Sequence, residues 1–245
     1  MKRIGFLLLL MLSLVSCKKP SDRACWKGAG PAQTLQVPFS DFQYLHIHAH
    51  MEVTLIQDSL NFVEWEANEN LMKFLSAEKD LDTLVLRNLN HCHFLRYGEE
   101  KVSVKVHFTE LKQLLFENSE LVKTNGLWQQ NAFEFILKEG AGPIDLELSG
   151  TRAFVRNLYG WQAMTLKGNL SWLFADLDGS ATLDAKALSI SDSLLFTAAS
   201  PKSSYFHTTG LLVKAQLQSI GNLYLKGQPS LLLKNEYSAG KVVVQ

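Results

Sequence analysis

An excess of charge of either sign is missing from this chain, in which 24 Lys and Arg face 24 Asp and Glu. No basic field is therefore available to recruit nucleic acid, and no RNA- or DNA-binding motif stands in the sequence. Long apolar runs are also absent after the first 16 residues, which excludes further membrane-crossing helices. Three cysteines are too few for a disulfide-dense scaffold. Helical periodicity is nearly absent, with one short exception. No Gly-rich phosphate loop joins a strand to a helix, and no Ser-His-Asp arrangement can be defended.

What is present begins at the N-terminus. Lys2 and Arg3 precede an apolar stretch from Ile4 to Val15, followed by Ser16-Cys17. The stretch is shorter than a membrane span of about 20 residues. A small residue directly before a cysteine suits lipoprotein signal peptidase, so residues 1–16 read as a lipoprotein signal and Cys17 as the lipidated residue. Several acyl chains on Cys17 would give stable anchoring to a membrane. Residues 17–32 then form a tether, polar in Lys18-Lys19-Pro20-Ser21-Asp22-Arg23. The two remaining cysteines, Cys25 and Cys92, lie in an exported chain, and a disulfide between them is the simplest expectation. It would close a loop of roughly 67 residues, stabilising by about 4 kcal/mol. Free buried thiols, or a metal site using Cys25, Cys92 and a neighbouring histidine, are the alternatives.

Residues 33–245 read as one all-β solenoid domain, with an N-terminal β segment at 33–108 and regular coils at 109–245. In the first part short β-like runs alternate with polar breaks, and Val102-Ser103-Val104-Lys105-Val106 alternates strictly. Asn68 to Ser76 carries Leu71, Met72, Phe74 and Leu75 and is assigned one short helix. In the second part turn-like residues recur at Ser119, Gly140, Gly160, Ser180, Ser200, Gly221 and Gly240. A period of roughly 20 residues is the signature of stacked coils that bury their apolar faces against one another. At about 4.8 Å per coil the stack is on the order of 30 Å tall. Equal spacing from the turns places Ile144, Met164 and Leu225 in one ladder and Leu146 and Leu166 in another. Ser200-Pro201-Lys202-Ser203-Ser204 reads as a longer, more polar turn at which a coil bulges. The terminal Val242-Val243-Val244 stops on a strand, leaving an edge through which a weak homo-oligomer could form.

The combination of the Ser16-Cys17 junction, Cys25-Trp26-Lys27-Gly28, Pro38-Phe39-Ser40-Asp41-Phe42, Val53-Thr54-Leu55-Ile56-Gln57 and Ala67-Asn68-Glu69-Asn70-Leu71 with the recurring turns resembles the Bacteroidetes lipoproteins of the DUF2807 family. Their domain is called the putative auto-transporter adhesin head GIN domain. The resemblance spans Cys25 to Val244. It implies a right-handed parallel β-helix-like fold and an exported, membrane-attached product, and it transfers no catalytic residues. Many relatives repeat Gly-Ser-Gly at the turns. Here the turns read Asn118-Ser119-Glu120, Gly140-Ala141-Gly142, Tyr159-Gly160-Trp161, Gly179-Ser180-Ala181 and Ala199-Ser200-Pro201.

Three groups of side chains bear on function. His46, His48 and His50 alternate with apolar residues and share one strand face; two neighbours could ligate one zinc, whereas the third lies about 13 Å from the first. A solvated histidine face is the preferred reading, and no metal or cofactor is expected. Asp176, Asp178, Asp184 and Asp192 form the densest acidic stretch of the repeats. Without a basic or aromatic constellation around them they read as the outer side of strands rather than a catalytic pair. Among the aromatics Trp128, Tyr159, Trp161 and Trp172, burial inside the coil is the ordinary expectation. Tyr159 and Trp161 straddle Gly160, however, and with Ser200 and Lys202 they make the candidate binding surface.

The functional expectation is a non-catalytic outer-membrane lipoprotein, on the cell surface or the periplasmic face, that acts as an adhesin by contacting a glycan or an envelope protein. A structural spacer or assembly subunit without a small ligand is the alternative, and a polysaccharide-active enzyme comes third.

Overall fold

The computed structural model describes residues 29–48, 50–90 and 102–245. The signal segment, Cys17, Cys25 and Cys92, and with them the expected lipidation and disulfide, lie outside the described residues. Among the described residues no helix is long and apolar enough to cross a membrane.

The first strands are β1 (Ala32–Pro38), β2 (Tyr44–His48), β3 (Glu52–Gln57) and β4 (Phe62–Asn68). One turn of helix, α1 (Glu69–Met72), buries Leu71 and leads to β5 (Leu75–Asp80), β6 (Thr83–Asn88) and β7 (Ser103–Phe108). Then come β8 (Gln113–Asn118), β9 (Val122–Thr124), β10 (Trp128–Gln129) and β11 (Ala132–Gly140). Three long bent strands follow, β12 (Ile144–Asn157), β13 (Ala163–Leu177) and β14 (Thr182–Ala198). The chain closes with β15 (Ser204–His207), β16 (Leu212–Leu217), β17 (Leu223–Lys226), β18 (Leu231–Glu236) and β19 (Val242–Val244).

These strands stack in parallel register on two long faces of a solenoid of about 7 turns. One face runs β6, β2, β8, β11, then the second halves of β12, β13 and β14, then β16 and β18. The other runs β7, β3, β9, then the first halves of the long strands, then β15, β17 and β19. Strict alternation drives the arrangement, because every second side chain of a strand points inward and a coil alone cannot enclose it. The parallel stack therefore begins inside the segment set apart from the sequence as N-terminal. Its order is not the chain order: the β2–β3 coil sits between the later β6–β7 coil and β8–β9.

Antiparallel strands close this end. β4 pairs with β7, β1 with β4, and β5 with β6. At the opposite end, among the described residues, no strand lies beyond β18 or β19.

The interior consists of aliphatic ladders. Ile144 stands on Met164 and Leu146 on Leu166, as the spacing predicts. Leu225 does not continue the first ladder; Met164 stands on Leu183, and Ser204 on Leu223, so Leu223 occupies that column. The Gly221 turn delivers the chain to its strand two residues earlier than the Gly140 turn does. Nor does the Ser200 turn bulge. Register shifts fall upstream in β14, where an extra residue enters against Thr165 to Lys167 and another against Leu170 to Trp172. Trp128 fills a wide part of the core, packing edge-on to Phe108, Phe133 and Phe135, while its indole N–H donates to Gln130 Oε1 at 3.1 Å.

Candidate functional site

One edge of the solenoid gathers most of the polar chemistry singled out above. It is the corner where each coil passes from the first face to the second, and it collects His50, Ser119, Gly140, Tyr159 to Trp161, Ser180, Ser200, Gly221 and Gly240. A tight corner leaves buried backbone groups that need partners. Asn118 is buried, and its amide donates to Met51 O at 2.8 Å and accepts from Met51 N–H at 3.3 Å. One coil further along, Gly140 (φ 111°) crosses over Asn118; a Cβ there would meet Asn118 O at 2.1 Å. Asn157 repeats the device, donating to Gly160 O at 3.3 Å and to Asp178 O.

Tyr159 and Trp161 are displayed from this scaffold. Asn157 and Gln162 are both buried, so the inward parity of the strand slips by one at the turn. Tyr159 and Trp161 are thereby left outside on either side of buried Gly160, at 73% and 70% exposure. Their backbone is pinned from both neighbouring coils: Trp161 N–H donates to Gly140 O at 2.9 Å, and Gly160 O accepts from Ser180 N–H at 3.1 Å. Gln162 anchors the exit through its amide to Glu139 O at 2.9 Å. The pair is thus two large apolar surfaces on a fixed support.

The other two members of the expected surface divide. Lys202 is exposed on the same edge, two coils beyond Tyr159. Ser200 is a correction: it is buried, and its hydroxyl donates to Ala181 O at 2.7 Å and accepts from Lys202 N–H at 3.1 Å. A serine in a turn reads as surface because of its polarity, whereas here the hydroxyl closes a corner that glycine closes elsewhere. Trp128 is core, and Trp172 is half-buried on the outer strand face, parallel to Phe174 and edge-on to Phe154. Near them Tyr44, Gln113, Glu134, Arg152 and Phe154 line a groove of about 450 Å³.

His46 and His48 lie on the first face beside this corner, toward the capped end, and His50 lies at the corner itself. His46 Nε2 is 2.9 Å and His48 Nδ1 2.8 Å from the same oxygen, Glu117 Oε2. Their rings sit 3.8 Å apart, centroid to centroid. Glu117 Oε1 is held by Lys138 Nζ at 2.6 Å. Burial pushes the Glu117 carboxyl up, but hydrogen bonds from Lys138 and His46 outweigh it and hold the carboxyl below its ordinary value. Burial, with His46 beside it, lowers His48. His50 turns away in a left-handed backbone (φ 55°), its Nδ1 2.8 Å from Ser119 Oγ. Glu117 and Lys138 were not found from the sequence, since they meet the histidines only through the β2–β8–β11 pairing.

The acidic stretch does not converge. Asp184 pairs with Lys186 at 2.9 Å, and Asp192 accepts from Ser193 Oγ at 3.2 Å. Burial, with Asp178 nearby, raises Asp176.

Fold and surface together define a β-solenoid closed at one end by antiparallel strands, with exposed aromatics on a rigid corner. The chain belongs to the DUF2807 family, described as "Putative auto-transporter adhesin, head GIN domain", whose model matches residues 41–229. Among solved structures it is similar to a "putative adhesin" from Bacteroides fragilis (TM-score 0.78, 14% identity, covering 88% of this chain and 97% of that one). It is also similar to a "putative adhesin" from Parabacteroides merdae (TM-score 0.58, 17% identity, 89% and 98%). A "putative lipid binding protein" from Parabacteroides distasonis matches at TM-score 0.61 and 14% identity, covering 88% and 97%. At these identities the likeness concerns the fold. Among curated proteins none matches the chain.

Proposed function

We propose that the protein is a non-catalytic adhesion module, lipidated at Cys17 and displayed at the outer membrane of a Gram-negative bacterium. The observation that carries this reading is the exposed Tyr159–Gly160–Trp161 corner, with its backbone fixed by the coils on either side. Exposed aromatic rings combine an apolar face with a polar rim and lose little conformational freedom on contact, which suits the face of a sugar ring. Lys202 on the same edge adds a hydrogen-bond donor for hydroxyl or acidic groups of a glycan. The family's adhesin description and the Ser16-Cys17 junction agree with this reading. Fold similarity alone would not support it.

Whole-cell protease shaving, with membrane integrity checked, tests the display. Digestion of the domain in intact cells is the expected result; full protection would overturn the cell-surface reading.

A second reading, as an envelope spacer or assembly subunit, is favoured by the open end. There, among the described residues, no strand covers β18 and β19, and Val244, whose register partner Leu225 is buried in the column below it, is exposed, leaving an edge through which a second copy could associate.

A further inference from the structure

We propose that His46 Nε2, His48 Nδ1 and Glu117 Oε2 form a binding site for a transition-metal ion of the zinc class, with a fourth position open to solvent. Among the described residues one ligand atom from each of His46, His48 and Glu117 lies within 4.8 Å of the other two. Ligands of tetrahedral zinc sit about 2.0–2.2 Å from the ion. That geometry places them roughly 3.3 Å apart, so the 2.8 and 2.9 Å separations from Glu117 Oε2 need to open only slightly.

The support is rigid. β2 holds both histidines on one outward face, two residues apart, and β8 sets Glu117 directly opposite His48. The carboxylate's division of labour leaves one oxygen for an ion, because Lys138 occupies Oε1 while Oε2 faces the two rings. Without an ion the imidazoles and the carboxylate satisfy one another. With one, each imidazole turns its lone pair to the metal and keeps its proton on the other ring nitrogen. Two imidazoles with one carboxylate favour zinc, copper or nickel over magnesium or calcium, which prefer all-oxygen shells. His48 is 34% exposed along its side chain, so a water or an oxygen of an outside ligand can reach the fourth position. The site lies on the first face beside the corner that carries Tyr159, with Glu117 two coils away, at about 4.8 Å per coil.

The test uses the purified full-length chain in detergent, stripped with a chelator and titrated calorimetrically with Zn²⁺ and separately with Mg²⁺. One saturable zinc equivalent and no magnesium binding are expected, and Co²⁺ should give the visible absorption of a four-coordinate site. Glu117→Gln, which keeps the size and can still accept from Lys138 but removes the anionic ligand oxygen, should weaken zinc by at least the roughly tenfold that loss of an outer partner costs. The His46→Asn/His48→Asn double variant should lose both the equivalent and the cobalt band while retaining the β-sheet circular dichroism. Absence of saturable zinc binding overturns the proposal, as does an equivalent that survives unchanged in these variants.

Discussion

Asn118 illustrates how much a single buried amide does at the corner. Its side chain substitutes for backbone pairing where the chain turns, donating to and accepting from Met51. Asn118→Ala leaves those groups unpaired and should destabilise the fold by about 1–3 kcal/mol in urea unfolding. Gly140→Ala should be worse. The left-handed conformation alone costs about 1–3 kcal/mol, and the new Cβ would also overlap Asn118 O. Asp176 should behave in the opposite sense. Its folded pKa is raised by burial and by Asp178, so its contribution is fully present below the unfolded value and is lost as pH rises through the folded value. Asp176→Asn should therefore be neutral or stabilising at pH 7, by at most about 1 kcal/mol after solvent screening. At this scale the sequence was partly legible. The sequence shows only that Tyr159 and Trp161 straddle Gly160; their exposure follows from the break in strand parity that the burial of Asn157 and Gln162 reveals. Ser200 misled, since a buried hydroxyl that closes a corner looks in sequence like any polar turn residue. Glu117 was invisible, being 71 residues from His46 and joined to it only by strand pairing.

Among the elements, the long strands β12 to β14 carry the clearest sequence signal, because strict alternation and near-equal spacing put Ile144 on Met164 and Leu146 on Leu166. Spacing alone failed for Leu225, since the Gly221 turn delivers the chain to β17 two residues earlier than the Gly140 turn delivers it to β12. The β2–β3 coil was still harder to place. The chain leaves it through β4, α1 and β5, builds β6 and β7 on its far side, and returns to β8, a route with no periodic trace. At the other end Glu236 ties β18 to β19. Its carboxylate accepts Val242 N–H at 2.9 Å and pairs with Lys234 and Lys241 at 3.1 Å each, holding its pKa at about 2. The folded value is depressed, so this contribution is present above the ordinary value of 4.5 and is lost as pH falls through about 2. Acid titration of unfolding should show that loss, and Glu236→Gln should flatten the curve between those limits.

For the molecule as a whole, the two ends differ. Antiparallel β1, β4 and β5 close one, while among the described residues β18 and β19 are uncovered at the other, where Val244 is exposed. Sedimentation velocity of the full-length protein in detergent should show weak, concentration-dependent association that Val244→Lys reduces; a monomer at all concentrations would remove the assembly reading. Between the ends lies the edge bearing Tyr159 and Trp161, the surface proposed above to contact a glycan. The most direct measurement compares cells displaying the wild-type protein with cells displaying Tyr159→Ala/Trp161→Ala, matched for surface level by protease shaving, in binding to a glycan array. Loss of the wild-type glycan signal in the variant is the expected result, and equal binding by both would contradict the account.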